Sequence, residues 1–160
     1  MPTDQIVLYG EDVLRDKAAV VDPSDPDLPR LIERMVEVMR EAAGLGLAAN
    51  QIGVAKQVFV YDVGEGPHAV LNPRIVKKRG KQEGVEGCLS VPGLQGEVRR
   101  ANFVIVEGQD VNGDKVRVEA EGITARVFQH EIDHLNGTLF VDRADPDTLH
   151  WITQEEEDST

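Results

Sequence analysis

The chain has 160 residues, enough for one domain with a single sizeable core. Its formal charge of −12 disfavours broad, non-specific nucleic-acid binding, which needs lysine and arginine to displace counterions. A hydrophobic content of 41% excludes a disordered chain, and the scarcity of aromatics predicts a core of Val, Leu, Ile and Ala.

Cys88 is the only cysteine, so no intrachain disulfide can form. No apolar run approaches the ~20 residues of a membrane span. The opening Met1-Pro2-Thr3-Asp4 lacks the charge pattern of a signal or transit peptide. The expectation is a soluble monomer of a reducing cytoplasm, with no membrane contact and no evident nucleic-acid site.

Ile6 to Tyr9 is a short apolar run, followed by an irregular stretch to Val21. Asp25 is expected to cap a helix over 27–43, with Pro26 at its first position. Leu28, Leu31, Ile32, Met35, Val36 and Met39 recur at helical spacing, and this face reads as core. Gly44 suits the left-handed position after the helix. The strip Gly44–Gly53 is too apolar for a solvated loop and too glycine-rich for a helix. Strands are predicted over 57–61 and 69–71 around a turn at 64–67, with His68 a surface histidine. Arg74–Arg79 reads as a strand with a solvated basic edge. Val85–Gly96 reads as loop.

Further strands are predicted over 103–107 and 115–119, joined at Asn112-Gly113 by a type I′ turn. Thr124 is expected to cap the next helix and Gly137 to end it. A catalytic domain is expected over 1–143 and an acidic tail over 144–160. Glu155–Asp158 is taken as a frayed end, and His150 and Trp151 as packing a terminal turn.

The helix beginning near Thr124 carries His130-Glu131-Ile132-Asp133-His134. Residues four apart share a helical face, so two imidazoles can meet one metal ion, with Glu131 placed to act on its water. Val127, Phe128, Ile132 and Leu135 imply that the helix is buried on more than one side, and buried histidines need partners. A hydrolytic centre needs a third protein ligand. Cys88, the other histidines, and Asp or Glu residues are all candidates. Asp133 is turned to another face and is expected to support a ligand imidazole instead.

Three blocks resemble bacterial-type peptide deformylase: Gly44-Leu45-Gly46-Leu47-Ala48-Ala49-Asn50-Gln51, Glu86-Gly87-Cys88-Leu89-Ser90, and Gln129-His130-Glu131-Ile132-Asp133-His134-Leu135-Asn136-Gly137. Flanking stretches extend the resemblance over about residues 6–143. The resemblance implies hydrolysis of the N-formyl group of formylmethionine on nascent peptides, with release of formate and transient ribosome association. It implies Cys88, His130 and His134 as ligands of one divalent ion, natively Fe2+, with Zn2+, Ni2+ or Co2+ able to substitute. Glu131 is then the general base, and the Gln51 side-chain amide and the Leu89 N–H are the oxyanion donors.

The substrate would lie along Gly44, Leu45 and Gly46. Its methionine would sit among Leu45, Glu86, Ile123, Arg126, Val127 and His130. Many relatives carry a substrate-holding arginine near the position of Gln95; Arg99 and Arg100 follow it here. The competing readings are a zincin-like metallopeptidase and a metal-binding homologue without turnover. The fold expected is α+β: mostly antiparallel sheets surrounding a central metal-binding helix, with a further N-terminal helix packed outside.

Overall fold

Two antiparallel sheets flank the histidine-bearing helix in the computed structural model, which describes residues 6–152. Elements run α1 (Leu28–Glu41), β1 (Gly46–Ala48), β2 (Val58–Tyr61), β3 (His68–Arg79), β4 (Gln82–Cys88), β5 (Val91–Arg100), β6 (Phe103–Gln109), β7 (Lys115–Glu121), α2 (Gly122–Leu135), α3 (Phe140–Arg143) and β8 (His150–Trp151). One sheet has the order β1-β2-β3-β6-β7, the other β4-β5-β8. The expectations for Met1–Asp4 and Glu155–Asp158 lie outside the described residues.

β2 shows why the larger sheet sits between two helices. All four of its residues are buried. Alternation sends Val58 and Val60 to the cluster with Leu28, Leu31, Met35 and Met39 of α1. Phe59 and Tyr61 go to the cluster with Phe128, Ile132 and Leu135 of α2. A continuous apolar run is the sequence mark of a strand covered on both faces. The last two residues of β1 split likewise: Leu47 packs with α1, Ala48 with α2.

The ends of α1 differ from expectation. Asp25 closes a turn on the N–H of Asp27 at 2.9 Å, so the helix starts only at Leu28, with proline in its first turn. At the other end Ala43, not Gly44, takes the left-handed conformation, with φ 55°. Gly44 N–H donates to Met39 O at 2.9 Å and Ala43 N–H to Arg40 O at 3.0 Å. This is a Schellman ending with alanine where glycine is usual.

The stretch 85–96, expected as loop, is a hairpin of β4 and β5, with register from Gln82–Arg100 to Gly87–Gln95 and an irregularity at Cys88. Its glycines are where other parts press in. A Cβ on Gly84 would lie 3.0 Å from the Arg126 guanidinium, and one on Gly96 would lie 2.7 Å from Leu149. The segment 69–79, expected as two strands, is one strand, and its basic half extends beyond the end of β2. At the β6–β7 turn only Gly113 is left-handed (φ 82°), and its N–H donates to Asp110 O at 3.0 Å. That is a type I turn closed by a glycine bulge instead of type I′.

Thr124 lies inside the first turn of α2, whose cap position is Glu121. Gly137 does end it: φ is 81°, and the N–H groups of Gly137 and Thr138 donate to His134 O and Asp133 O at 3.0 and 2.9 Å. His150 and Trp151 form an exposed strand on β5 where a packed terminal turn was expected. Among the described residues, no helix is long and apolar enough to cross a membrane.

Candidate metal centre

α2 has two buried sides of different chemistry. Its apolar side packs on the larger sheet. The side carrying Arg126, His130 and Asp133 meets Glu86 of β4 and Arg100 of β5. Cys88 ends β4, so the hairpin brings its sulfur to the two histidines. The Cys88 Sγ and one ring nitrogen from each of His130 and His134 lie within 4.8 Å of one another. Sγ is 3.2 Å from His134 Nε2.

The ring orientations are set from behind. Glu86 Oε1 lies 2.9 Å from His130 Nδ1. An ionised carboxylate only accepts, so Nδ1 carries a proton, and Nε2 is the nitrogen that an ion would take, displacing any proton it bears. Burial pushes the Glu86 carboxyl up, but the hydrogen bonds from Arg100 and His130 outweigh it and hold the group at about 2. Arg100 reaches Glu86 through Nε at 2.9 Å and Nη2 at 2.8 Å, and Arg126 Nη1 reaches it at 2.5 Å.

Asp133 does not touch an imidazole, contrary to expectation. It accepts from Arg100 Nη1 at 2.6 Å and from Arg143 at 2.5 and 3.0 Å. Its influence on His130 runs through Arg100 and Glu86. Sequence reading missed this role of Glu86, placing it only in the substrate pocket. The adjacency of an acid to the candidate ligand Cys88 was the available signal.

Burial alone would lower the His130 pKa, but its hydrogen bonds to Cys88 and Glu86 raise it to about 10. His134 is held well below its usual value by burial and by the neighbouring His130. Burial pushes Glu131 up to about 7, against the pull of His130. That is the range in which a carboxylate can exchange protons near neutral pH. Glu131 Oε1 is buried without a hydrogen-bond partner among the described residues.

Gln51 occupies the third turn position of the 3-10 helix Ala49–Ile52, just after β1. Its Oε1 accepts from Ala48 N–H at 3.0 Å. That bond fixes the amide orientation, because only the oxygen can face a donor. Nε2 therefore points at Ser90 Oγ (3.3 Å) and Cys88 Sγ (3.6 Å).

The cluster lies in a cleft of about 470 Å³. Gly44, Leu45 and Gly46 line one part of it, Glu86 through Leu89 and Gln95 another, and Ile123, Arg126, Val127, His130 and Glu131 the part formed by α2. The structure thus brings all the sequence-derived site residues but the fully buried His134 onto one cleft, with His134 beneath it. Of the arginines after the cysteine block, Arg99 pairs with Glu83 at the surface and Arg100 is buried against Glu86.

A sulfur and two imidazole nitrogens beside a buried carboxylate and a pre-oriented amide define the class: a candidate hydrolytic metal centre on an α+β scaffold. A family model described as polypeptide deformylase matches residues 3–149. The peptide deformylase of Carboxydothermus hydrogenoformans is 47% identical over 145 residues, covering 91% of this chain and 95% of that one. That of Halothermothrix orenii is 50% identical over 145 residues, covering 89% and 94%. The crystal structure of peptide deformylase from Thermotoga maritima superposes with a TM-score of 0.85 at 46% identity, over 88% of this chain and 97% of that one. The chain belongs to the polypeptide deformylase family.

Proposed function

We propose that the chain hydrolyses the N-formyl group from formylmethionyl nascent peptides and releases formate, using one divalent ion held by Cys88, His130 and His134. The observation that carries this reading is the arrangement around those three side chains. The Glu131 carboxylate has one buried oxygen without a partner among the described residues, and the Gln51 amide, fixed by Ala48 N–H, turns its Nε2 toward Cys88 Sγ. The donor set fits a metal. A thiolate with two imidazoles suits Fe2+, Zn2+, Ni2+ or Co2+ and does not suit Mg2+ or Ca2+. His130 already has the carboxylate partner that ligand histidines use. The native ion in this reading is Fe2+, and the others can substitute.

The ion would supply Lewis acidity, making water acidic enough to serve as a nucleophile near neutral pH. Glu131 accepts the proton of that water and later delivers one to the leaving amine. Gln51 Nε2–H and the Leu89 N–H stabilise the charge that develops on the formyl oxygen; losing one such donor costs ~3 kcal/mol of barrier. Gly44–Gly46 offers a free strand edge for an extended peptide, and the apolar part of the cleft takes the methionine.

A zincin-like peptidase fits less well, since its third ligand would lie downstream of His134. Such enzymes take a histidine or glutamate there, and the only one among the described residues is His150, paired to β5 and exposed. A homologue without turnover would need neither the Glu131 carboxylate nor the oriented Gln51. The reading extends to a cytoplasmic monomer that meets ribosomes transiently.

The test is formate release from formyl-Met-Ala by iron- or nickel-loaded protein. Glu131→Ala should keep its metal and lose turnover by at least about 100-fold. Full metal content without formate release by the wild type overturns the reading. Internal cleavage of longer peptides favours the peptidase.

A further inference from the structure

Residues 144–152 form a strap that runs back along β5. Asp145 N–H donates to Glu97 O at 2.9 Å, and Glu97 N–H donates to Thr148 Oγ1 at 2.8 Å. His150 then pairs with Gln95 and Trp151 with Leu94. Ile152 N–H donates to Gly93 O at 2.7 Å. Side chains hold the strap as well. Leu149 and Ala144 sit over Gly96, where a Cβ would come within 2.7 Å of Leu149 and 3.2 Å of Ala144. Leu149 and Ala144 belong to the apolar cluster of Val91, Val98, Leu139 and Phe140.

Ile152 has a different setting. It belongs to none of the three apolar clusters. It lines the cleft beside Gly93, Leu94 and Gln95. A strap fastened at both ends over β5 thus delivers one half-buried aliphatic side chain to the cleft that holds Cys88 and Glu131.

We propose that Ile152 is a specificity-determining residue that selects an aliphatic side chain at the third residue of the substrate. This inference rests on the formylmethionyl-peptide reading of the cleft. In an extended chain successive side chains alternate in direction. With methionine directed into the cleft, the second side chain points away. The third is the next that returns to the cleft side, ~7 Å further on. Ile152 offers it apolar contact with no hydrogen-bonding group, so a leucine is favoured over a serine or an acidic residue.

The experiment compares kcat/KM for formyl-Met-Ala-Leu, formyl-Met-Ala-Ser and formyl-Met-Ala-Glu within each enzyme variant. Wild type should favour Leu over Ser by about five- to tenfold, the value of a partly enclosed aliphatic contact. Ile152→Ala should bring that ratio below about twofold. Ile152→Lys should raise the Glu-to-Leu ratio above the wild-type value, a shift that loss of folded protein cannot mimic. An Ile152→Ala enzyme with the wild-type Leu-to-Ser ratio, or an Ile152→Lys enzyme with the wild-type Glu-to-Leu ratio, overturns the inference and leaves the deformylase reading standing. Wild-type enzyme that releases formate from none of these peptides, nor from formyl-Met-Ala, overturns that reading and the inference with it.

Discussion

Glu86 is the residue on which the centre's geometry depends most. Its carboxylate faces Arg100, Arg126 and His130 in a buried setting. Glu86→Gln leaves two arginines without their shared countercharge, and breaking a buried pair this way costs about 3–5 kcal/mol. The same change replaces the charged acceptor behind His130 Nδ1 with a neutral one and should weaken metal binding about 10–100-fold, read by chelator competition. The pH dependence has a definite sign. Glu86 titrates near 2 in the fold against an ordinary 4.5, so its stabilisation is complete above about 4.5 and lost as pH falls toward 2. Thermal melts across that window should show a steeper acid loss in wild type than in Glu86→Gln. Gly46 makes a second case. A Cβ there would lie 2.7 Å from Glu131 Oε2 and 2.9 Å from Val127 Cγ1. Gly46→Ala must displace the proposed base, and a shift of about 1 Å can cost about 100-fold in kcat while metal content stays full. His130, Glu131 and His134 were legible because one helical turn relates them. The Glu86–His130 and Arg100–Asp133 pairs join positions 44 and 33 apart, which no local pattern encodes.

At the scale of elements, α1 and α2 were readable from apolar spacing, and β2 from its unbroken apolar run. The β4–β5 hairpin was not. Its glycines erase the alternation that marks a strand, and the reason for them lies elsewhere in the chain. Arg126 of α2 presses on Gly84 and Leu149 of the strap on Gly96. Strap strand β8 was illegible too, since a two-residue strand exists only by virtue of the edge it joins. The end of α1 was misread by one residue, and this gives a test. Ala43 is exposed, left-handed at φ 55°, and carries a Cβ that this conformation disfavours. Ala43→Gly should stabilise the protein by about 0.5–1 kcal/mol, visible as a higher denaturation midpoint at unchanged m-value. A lower midpoint would show that the backbone freedom glycine adds to the unfolded chain outweighs the relieved strain.

Across the whole molecule, the three proposed ligands come from two layers. His130 and His134 belong to α2, whose apolar side is part of the core built on the five-stranded sheet. Cys88 closes β4 of the three-stranded sheet, whose apolar cluster with Leu14, Val98 and Phe140 is separate. The contacts of α2 with that second sheet are mostly charged: Glu86, Arg100, Arg126 and Asp133. Such pairs offset their own desolvation and add little net cohesion. A metal held by Cys88, His130 and His134, as proposed, would therefore act as a clamp between two sub-cores that are otherwise joined by a polar seam. Binding to the native state alone stabilises by ~2.7 kcal/mol at a free concentration 100 times Kd, or about 5–10 °C in Tm for a chain of this size. Chelation should lower Tm by that amount. The loss should also be uneven. Amide exchange should accelerate most in the β4–β5 hairpin around Cys88, which keeps only its polar pairs to α2, and least in β6 and β7, whose pairing runs unbroken from Phe103–Glu121 to Gln109–Lys115. Equal acceleration in both sheets would mean that the seam holds without the ion and that the clamp is not a structural element of this fold.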